Sequence, residues 1–173
     1  MKENDRWSQL HALDEELLKG GLILSEWCIF IVRESDTAFA GGAYLASILT
    51  AVSGIETYLR SEYAQAGRER LVELINQAPI DDSLRDDLHA LRKYRNKWVH
   101  VDEPWQDANL LKRPEETEQE LERMALFAAR ALRKTIYGAP RIISKSQKFC
   151  RHKEAAKEAA EKKNAISTIE KIA

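Results

Sequence analysis

The string Leu91-Arg92-Lys93-Tyr94-Arg95-Asn96-Lys97-Trp98-Val99-His100 places a guanidinium, a carboxamide and an imidazole close together. Arg95 also breaks a pattern. Leu84, Leu88, Leu91 and Trp98 follow steps of four and three along one face of a helix, and the position missing from that series is 95. A guanidinium on a stripe that otherwise buries leucines is costly unless it is paired or faces a cavity. The three residue types suit work on a phosphate. Arg clamps phosphate oxygens and stabilises charge that grows on them. Imidazole titrates near neutrality, so His100 is a candidate general acid or base. Asn96 can orient either the phosphate or the imidazole. Glu56 is a candidate supporting acid for Arg95, although Arg60, one helical turn on, competes for it. Each residue also has a plain structural role open to it: Arg95 in a salt bridge, Asn96 as a helix-end polar group, His100 as a cation favoured by the helix dipole.

Spacing adds a constraint. Five residues of straight helix turn through about 500°, which leaves positions 95 and 100 about 140° apart. Either the helix ends near Trp98 and His100 swings round, or two copies of the chain each supply part of one site.

The elements that must position these groups read as helices. Residues 5–19 carry Leu10, Leu13, Leu17 and Leu18, with Asn4 or Asp5 as the cap and Gly20-Gly21 as the stop. Residues 22–33 suit a buried helix begun at Ser25 or a strand, and helix is favoured because the chain offers no second convincing strand to pair with it. Residues 37–65 carry Leu45, Ile48, Val52, Ile55 and Leu59 at 3-4-3-4 spacing, the clearest helix in the chain, with Gly41 and Gly42 weakening its first turn. Arg68 to Gln77 is a short helix ended by Pro79. Asp81 or Asp82 caps the helix that runs through Trp98. Residues 101–114 read as a loop, and Glu115-Glu116 opens a last helix with its apolar face at Leu121, Met124, Ala125, Ala128 and Leu132.

The 173 residues are 44% hydrophobic and 32% charged, which excludes a disordered chain. Only 7 Gly and 4 Pro punctuate them, too few for a sandwich or barrel. Lys plus Arg number 27 against 28 Asp plus Glu, so whole-chain charge gives no argument for nucleic acid. The charge is uneven, however. Residues 141–173 hold nine Lys/Arg and four Glu, while residues 1–140 hold 18 basic and 24 acidic residues. The expected division is a helical body over 1–139 and a basic, helix-forming extension over 140–173. Lys145, Lys148, Arg151 and Lys153 of that extension are a candidate RNA-binding footprint. Trp105, between Pro104 and Gln106, is the aromatic best placed to stack an unpaired base. Cys28 and Cys150 make neither a disulfide framework nor a metal quartet, and His100-Val101-Asp102-Glu103 lacks the second ligand group that a metal needs. No cofactor is expected. No signal peptide and no membrane-spanning run is read, and the expected compartment is the cytoplasm.

Arg95-Asn96, three residues, then His100 resembles the signature of the HEPN superfamily of small helical domains: an Arg, four to six residues, and a His, with a polar residue often directly after the Arg. The likeness extends to the helices around the motif, over about residues 37–137, where the long helix ending Ser53-Gly-Ile-Glu-Thr-Tyr-Leu-Arg60 precedes it and an amphipathic helix follows. The resemblance implies an all-α, HEPN-like helical bundle with a four-helix core, N-terminal helices and a C-terminal basic helix. It implies a homodimer with motifs meeting at a two-fold interface. It further implies a metal-independent endoribonuclease leaving 2′,3′-cyclic phosphate ends, of the kind that serves as a toxin or antiphage effector, with an antitoxin or other partner protein. The alternative is a non-catalytic module of the same fold, in which the polar pair orders a dimer interface.

Overall fold

The structure, a computed structural model, describes residues 2–18, 24–64, 68–100 and 112–138. It is all-α over those residues, with no strand among them. Among the described residues six helices follow in order: α1 (Glu3–Leu17), α2 (Glu26–Ala40), α3 (Tyr44–Tyr63), α4 (Leu71–Gln77), α5 (Asp82–Val99) and α6 (Pro114–Tyr137). Among the described residues, no helix is long and apolar enough to cross a membrane.

The bundle is organised around α3 and α6, which pack on each other. Helix α2 lies against both of them, and so does α5, but α2 and α5 do not touch. The periodicity of α3 explains its central place: Ile48, Val52, Ile55 and Leu59 are buried along one face, and Ala51 and Tyr58 widen the stripe. From α6 come Ala125, Ala128, Ala129, Leu132 and Ile136, all buried, and the alanines let neighbouring backbones come close. Gly54 marks the tightest crossing. A Cβ built there would lie 2.9 Å from Ile31 Cγ1 of α2 and 3.1 Å from Leu132 Cδ1 of α6.

Two expectations change. The helix read over 37–65 is two helices, because α2 runs on to Ala40 and the chain turns before α3 begins at Tyr44. Gly42 has φ +80°, and the N–H groups of Gly42 and Ala43 reach back to the carbonyls of Phe39 (3.0 Å) and Ala38 (2.8 Å). That is the Schellman way of ending a helix, and its left-handed residue cannot continue one. Second, α1 spans Glu3–Leu17 rather than 5–19, with Lys2 in the cap position. Asp5 acts from inside the first turn, its carboxylate accepting the Lys2 N–H at 3.2 Å. The sequence left open whether residues 1–35 join the core, and the structure answers it: Leu10 and Leu13 of α1 and Cys28 and Val32 of α2 are all buried. Arg6 ties α1 to the α2–α3 turn, donating from Nε to the Ala40 carbonyl at 2.8 Å and from Nη1 to Tyr44 Oη at 3.1 Å.

Elsewhere the local reading holds. Ser25 caps α2 by accepting the Cys28 N–H at 3.2 Å. The short helix before Pro79 is α4, and α6 opens with Pro114 at its first position, then Glu115 and Glu116. Residues 101–111, read as part of a loop and including Trp105, and the basic extension, with Cys150, Lys145, Lys148, Arg151 and Lys153, lie outside the described residues, as does Gly20-Gly21.

Candidate functional site

The phase of α5 is set at its N-terminus. Asp81 Oδ1 accepts the Leu84 N–H at 2.8 Å. One turn on, the Arg85 guanidinium gathers the carbonyls of Ile75, Asn76, Ala78 and Ile80 at 2.7–3.3 Å, which fixes the α4–α5 connection to the helix. Leu84, Leu88 and Leu91 then fall on the buried face. The next residue of that face is Arg95, which therefore arrives beside α3 instead of in open solvent.

Glu56 of α3 meets it. Arg95 Nη2 lies 3.4 Å from Glu56 Oε2, and Arg60 Nη2 lies 2.9 Å from Glu56 Oε1. One carboxylate is forked between two guanidiniums, so these three side chains together carry net positive charge. The Arg95 side chain keeps 21% of its exposure, and Glu56 and Arg60 keep about a third. Of the two expected causes of the departure from the leucine stripe, pairing is met, by Glu56, and in place of a cavity the stripe reaches solvent there.

Helix α5 stays intact to Val99. His100 is its C-terminal cap, with φ −116° and ψ 77°, and its N–H still bonds the Asn96 carbonyl at 2.9 Å. Its side chain is exposed and that of Asn96 is half-buried. The helix does not end early enough to swing His100 toward Arg95, so the two groups keep the wide angular separation of a continuous helix. The structure brings Arg95, Glu56 and Arg60 together and leaves Asn96 and His100 outside that cluster. Lys97 turns to the α6 side of α5, its Nζ 3.8 Å from Glu120 Oε1 and 5.4–5.8 Å from the ring centres of Trp98 and Tyr94. From Arg92 to His100 the helix carries four Lys/Arg and no acid. Arg60 is the member of the cluster that sequence reasoning treated only as a competitor; its i+4 spacing from Glu56 was the available signal.

A second arginine was not singled out. Arg133 of α6 is fully buried, beside Leu132 and Ile136. Its Nε and Nη2 donate to Asp14 at 2.8 and 3.2 Å, and its Nη1 and Nη2 donate to Asp36 at 3.0 and 2.7 Å. Tyr137 Oη donates to Asp14 Oδ1 at 2.9 Å. Burial pushes the Asp14 carboxyl up, but the hydrogen bonds and charge of Arg133, helped by Tyr137, outweigh it and leave Asp14 below the usual carboxylate range. For Asp36 burial wins and its carboxyl is raised. Burial also pushes the Tyr137 hydroxyl up to about 12. Burial works against the charge on Arg133, and the bonds to Asp36 and Asp14 more than restore it. Beside this cluster lies a cavity of about 230 Å³, lined by Trp7, Ile29, Val32, Asp36 and Tyr137 among others. None of Arg95, Asn96, His100 or Glu56 lines it.

Among the described residues, no group of three or more His, Cys, Asp and Glu side chains is placed to hold a metal ion. No protein-family model, no curated protein and no solved structure matches this chain.

Proposed function

We propose that this chain is a HEPN-like endoribonuclease that acts on RNA through Arg95 and His100 in a homodimer. The observation that carries the reading is Arg95 itself. It is held half-buried by Glu56 on the leucine face of α5, beside a second guanidinium and at the end of a helix that closes on an exposed imidazole. Two guanidiniums sharing one carboxylate retain the capacity to take a phosphate. The acid-free run from Arg92 to His100 suits a polyanion.

In the proposed reaction the ribose 2′-OH attacks the adjacent phosphorus. An imidazole takes the hydroxyl proton, the bond from phosphorus to the 5′ oxygen breaks, and that oxygen leaves with a proton drawn from water. The products are a 2′,3′-cyclic phosphate and a 5′-hydroxyl. Arg95 and Arg60 stabilise the charge that develops on the phosphate oxygens, and Asn96 orients the groups around it. Because α5 is continuous through Val99, two copies meeting near the end of α5 would combine Arg95 of one with the partner's His100. A toxin or antiphage role, held in check by a partner protein, fits such an activity and belongs to the same proposal.

The test is cleavage of RNA in excess EDTA by wild type, His100→Ala and Arg95→Ala. Product ends are read for the cyclic phosphate, and melting temperature and dimer are checked in parallel. The expected result is cleavage that survives EDTA and falls by about a hundredfold or more in His100→Ala, the typical loss on removing a general acid or base, with the fold unchanged. Cleavage that requires an added metal, or that persists in His100→Ala, overturns it. Absence of cleavage together with loss of the dimer in His100→Ala points to the non-catalytic module.

A further inference from the structure

The outer face of α2 is the least expected surface of the molecule. Its inner face is buried through Cys28, Val32, Ser35, Asp36 and Phe39. Yet Ile29 is 55% exposed, Phe30 49% and Trp27 38%. The first half of α2 is therefore apolar nearly all the way round, a pattern of helices that are covered on every side. Glu26, Ile29, Phe30, Arg33 and Thr37 fall at i, i+3, i+4, i+7 and i+11, one continuous stripe along the helix. The Arg33 guanidinium lies over the Phe30 ring, 5.3 Å from its centre, with 65% of its side chain exposed.

We infer that this stripe is a contact surface for a second copy of the chain, with the two α2 helices packed antiparallel about a two-fold axis between Ile29 and Phe30. The stripe is complementary to itself in that arrangement and in no parallel one. Position 26 then faces the partner's position 33, so Glu26 meets an arginine, and Arg33 meets a glutamate, once on each side of the axis. Ile29 faces the partner's Phe30. Such reciprocal pairing of unlike residues is what an isologous interface demands.

The cavity beside α2 adds an independent feature. Ile29, Val32, Arg33 and Asp36 all contribute to its lining. The partner's Phe30, set opposite Ile29, arrives at its mouth. At about 230 Å³ the cavity has room for an aromatic ring; apolar cavities of roughly 150 Å³ already take up benzene. Each copy thus offers a knob at Phe30 and a hole next to Ile29. A stripe this short covers less than the roughly 800 Å² per partner of a standard interface, so the association is weak and concentration-dependent.

This contact is independent of the RNA reading. Helices α2 and α5 do not touch, each packing on α3 and α6. The pairing of Arg95 with a partner's His100 belongs to another surface.

Sedimentation velocity of the full chain, from low to high micromolar concentration, tests it on wild type, Phe30→Glu, Glu26→Arg and Arg33→Glu. All three positions face solvent, and circular dichroism and melting temperature verify the fold. Each single variant should weaken self-association by about tenfold or more, as expected when a central aromatic or a facing charge pair is lost. The deciding step is mixing. Glu26→Arg and Arg33→Glu each repel their own kind, but a one-to-one mixture pairs opposite charges on both sides of the axis and should form a heterodimer as tight as wild type. A wild type that is monomeric throughout overturns the inference. So do a Phe30→Glu variant that associates as tightly as wild type, and a mixture that associates no better than its components; a dimer formed at the α5 surface is common to wild type and all three variants and cancels from the comparison.

Discussion

Arginine enters the apolar face of a helix at Arg133 on α6 and at Arg95 on α5. The two are built differently. Arg133 has no exposure and is met by two carboxylates from two other helices, Asp14 of α1 and Asp36 of α2, through four bonds of 2.7–3.2 Å. Arg95 keeps a fifth of its exposure and meets one carboxylate, which it shares with Arg60, at 3.4 Å. The first arrangement joins three helices and leaves the guanidinium no free direction. The second gives Arg95 a share of one carboxylate and keeps a fifth of its side chain exposed. A buried arginine on its own therefore says little about function; on the proposed reading, what separates Arg133 from Arg95 is how completely the guanidinium's fork is filled.

The largest effect that would sharpen the contrast is on stability. Arg133→Met leaves Asp14 and Asp36 facing each other with no cation, and should cost about 3–5 kcal/mol in urea unfolding. Arg95→Met should cost no more than about 1 kcal/mol, the range of partly exposed pairs. Equal losses would break the comparison and place Arg95 among the structural ion pairs.

The two carboxylates around Arg133 should differ next. Asp14 is held below its ordinary pKa and Asp36 is raised. Asp14→Asn should therefore cost more than Asp36→Asn at neutral pH, by about 1–2 kcal/mol, the worth of a charge-assisted hydrogen bond. Their pH dependence follows with opposite signs. Asp14, depressed in the fold, contributes stability that is present above the ordinary carboxylate pKa and is lost as pH falls through that value to the lower folded one. Asp36, raised, contributes stability in acid that is lost as pH rises through its folded value. Denaturant melts on the acid side should fall more steeply for wild type than for Asp14→Asn. Parallel curves would show that Asp14 is not the group responsible.

The smallest effect concerns Tyr137. Its hydroxyl titrates near 12 in the fold against an ordinary 10.0. The stability it contributes is complete below pH 10 and is lost between pH 10 and about 12. Tyr137→Phe should cost about 1 kcal/mol at neutral pH and flatten part of the alkaline decline in melting temperature. An unchanged alkaline slope would assign it to the other raised tyrosines, Tyr44, Tyr58 and Tyr94.

Much of the helical order was legible because its signals are local. Ser25 and Asp81 cap where their residue types say they should, and the 3-4 spacing of Ile48, Val52, Ile55 and Leu59 names the buried face of α3. The α2–α3 junction was read as a weakened helix start because Gly41 and Gly42 are compatible with a helix as well as with a turn. Only the reversal of the chain, with Gly42 in the left-handed region, chooses between them. The pairing of Glu56 with both Arg95 and Arg60 was readable, one partner from i+4 spacing and the other from the break in the leucine series. Arg133 carried the same kind of signal, a cation beside Leu132 and Ile136, but its partners lie 97 and 119 positions away and no local pattern points to them.

By itself, then, the sequence determined the all-α class, most helix boundaries to within two or three residues, and the anomaly at Arg95, since capping, periodicity and composition act over a few residues. Tertiary structure alone decided that α1 and α2 belong to the core, that Arg133 is the filled counterpart of Arg95, and that the first half of α2 is left bare on its outer face. Those outcomes depend on which helices come to lie side by side. A burial pattern records that a residue is covered without recording by what.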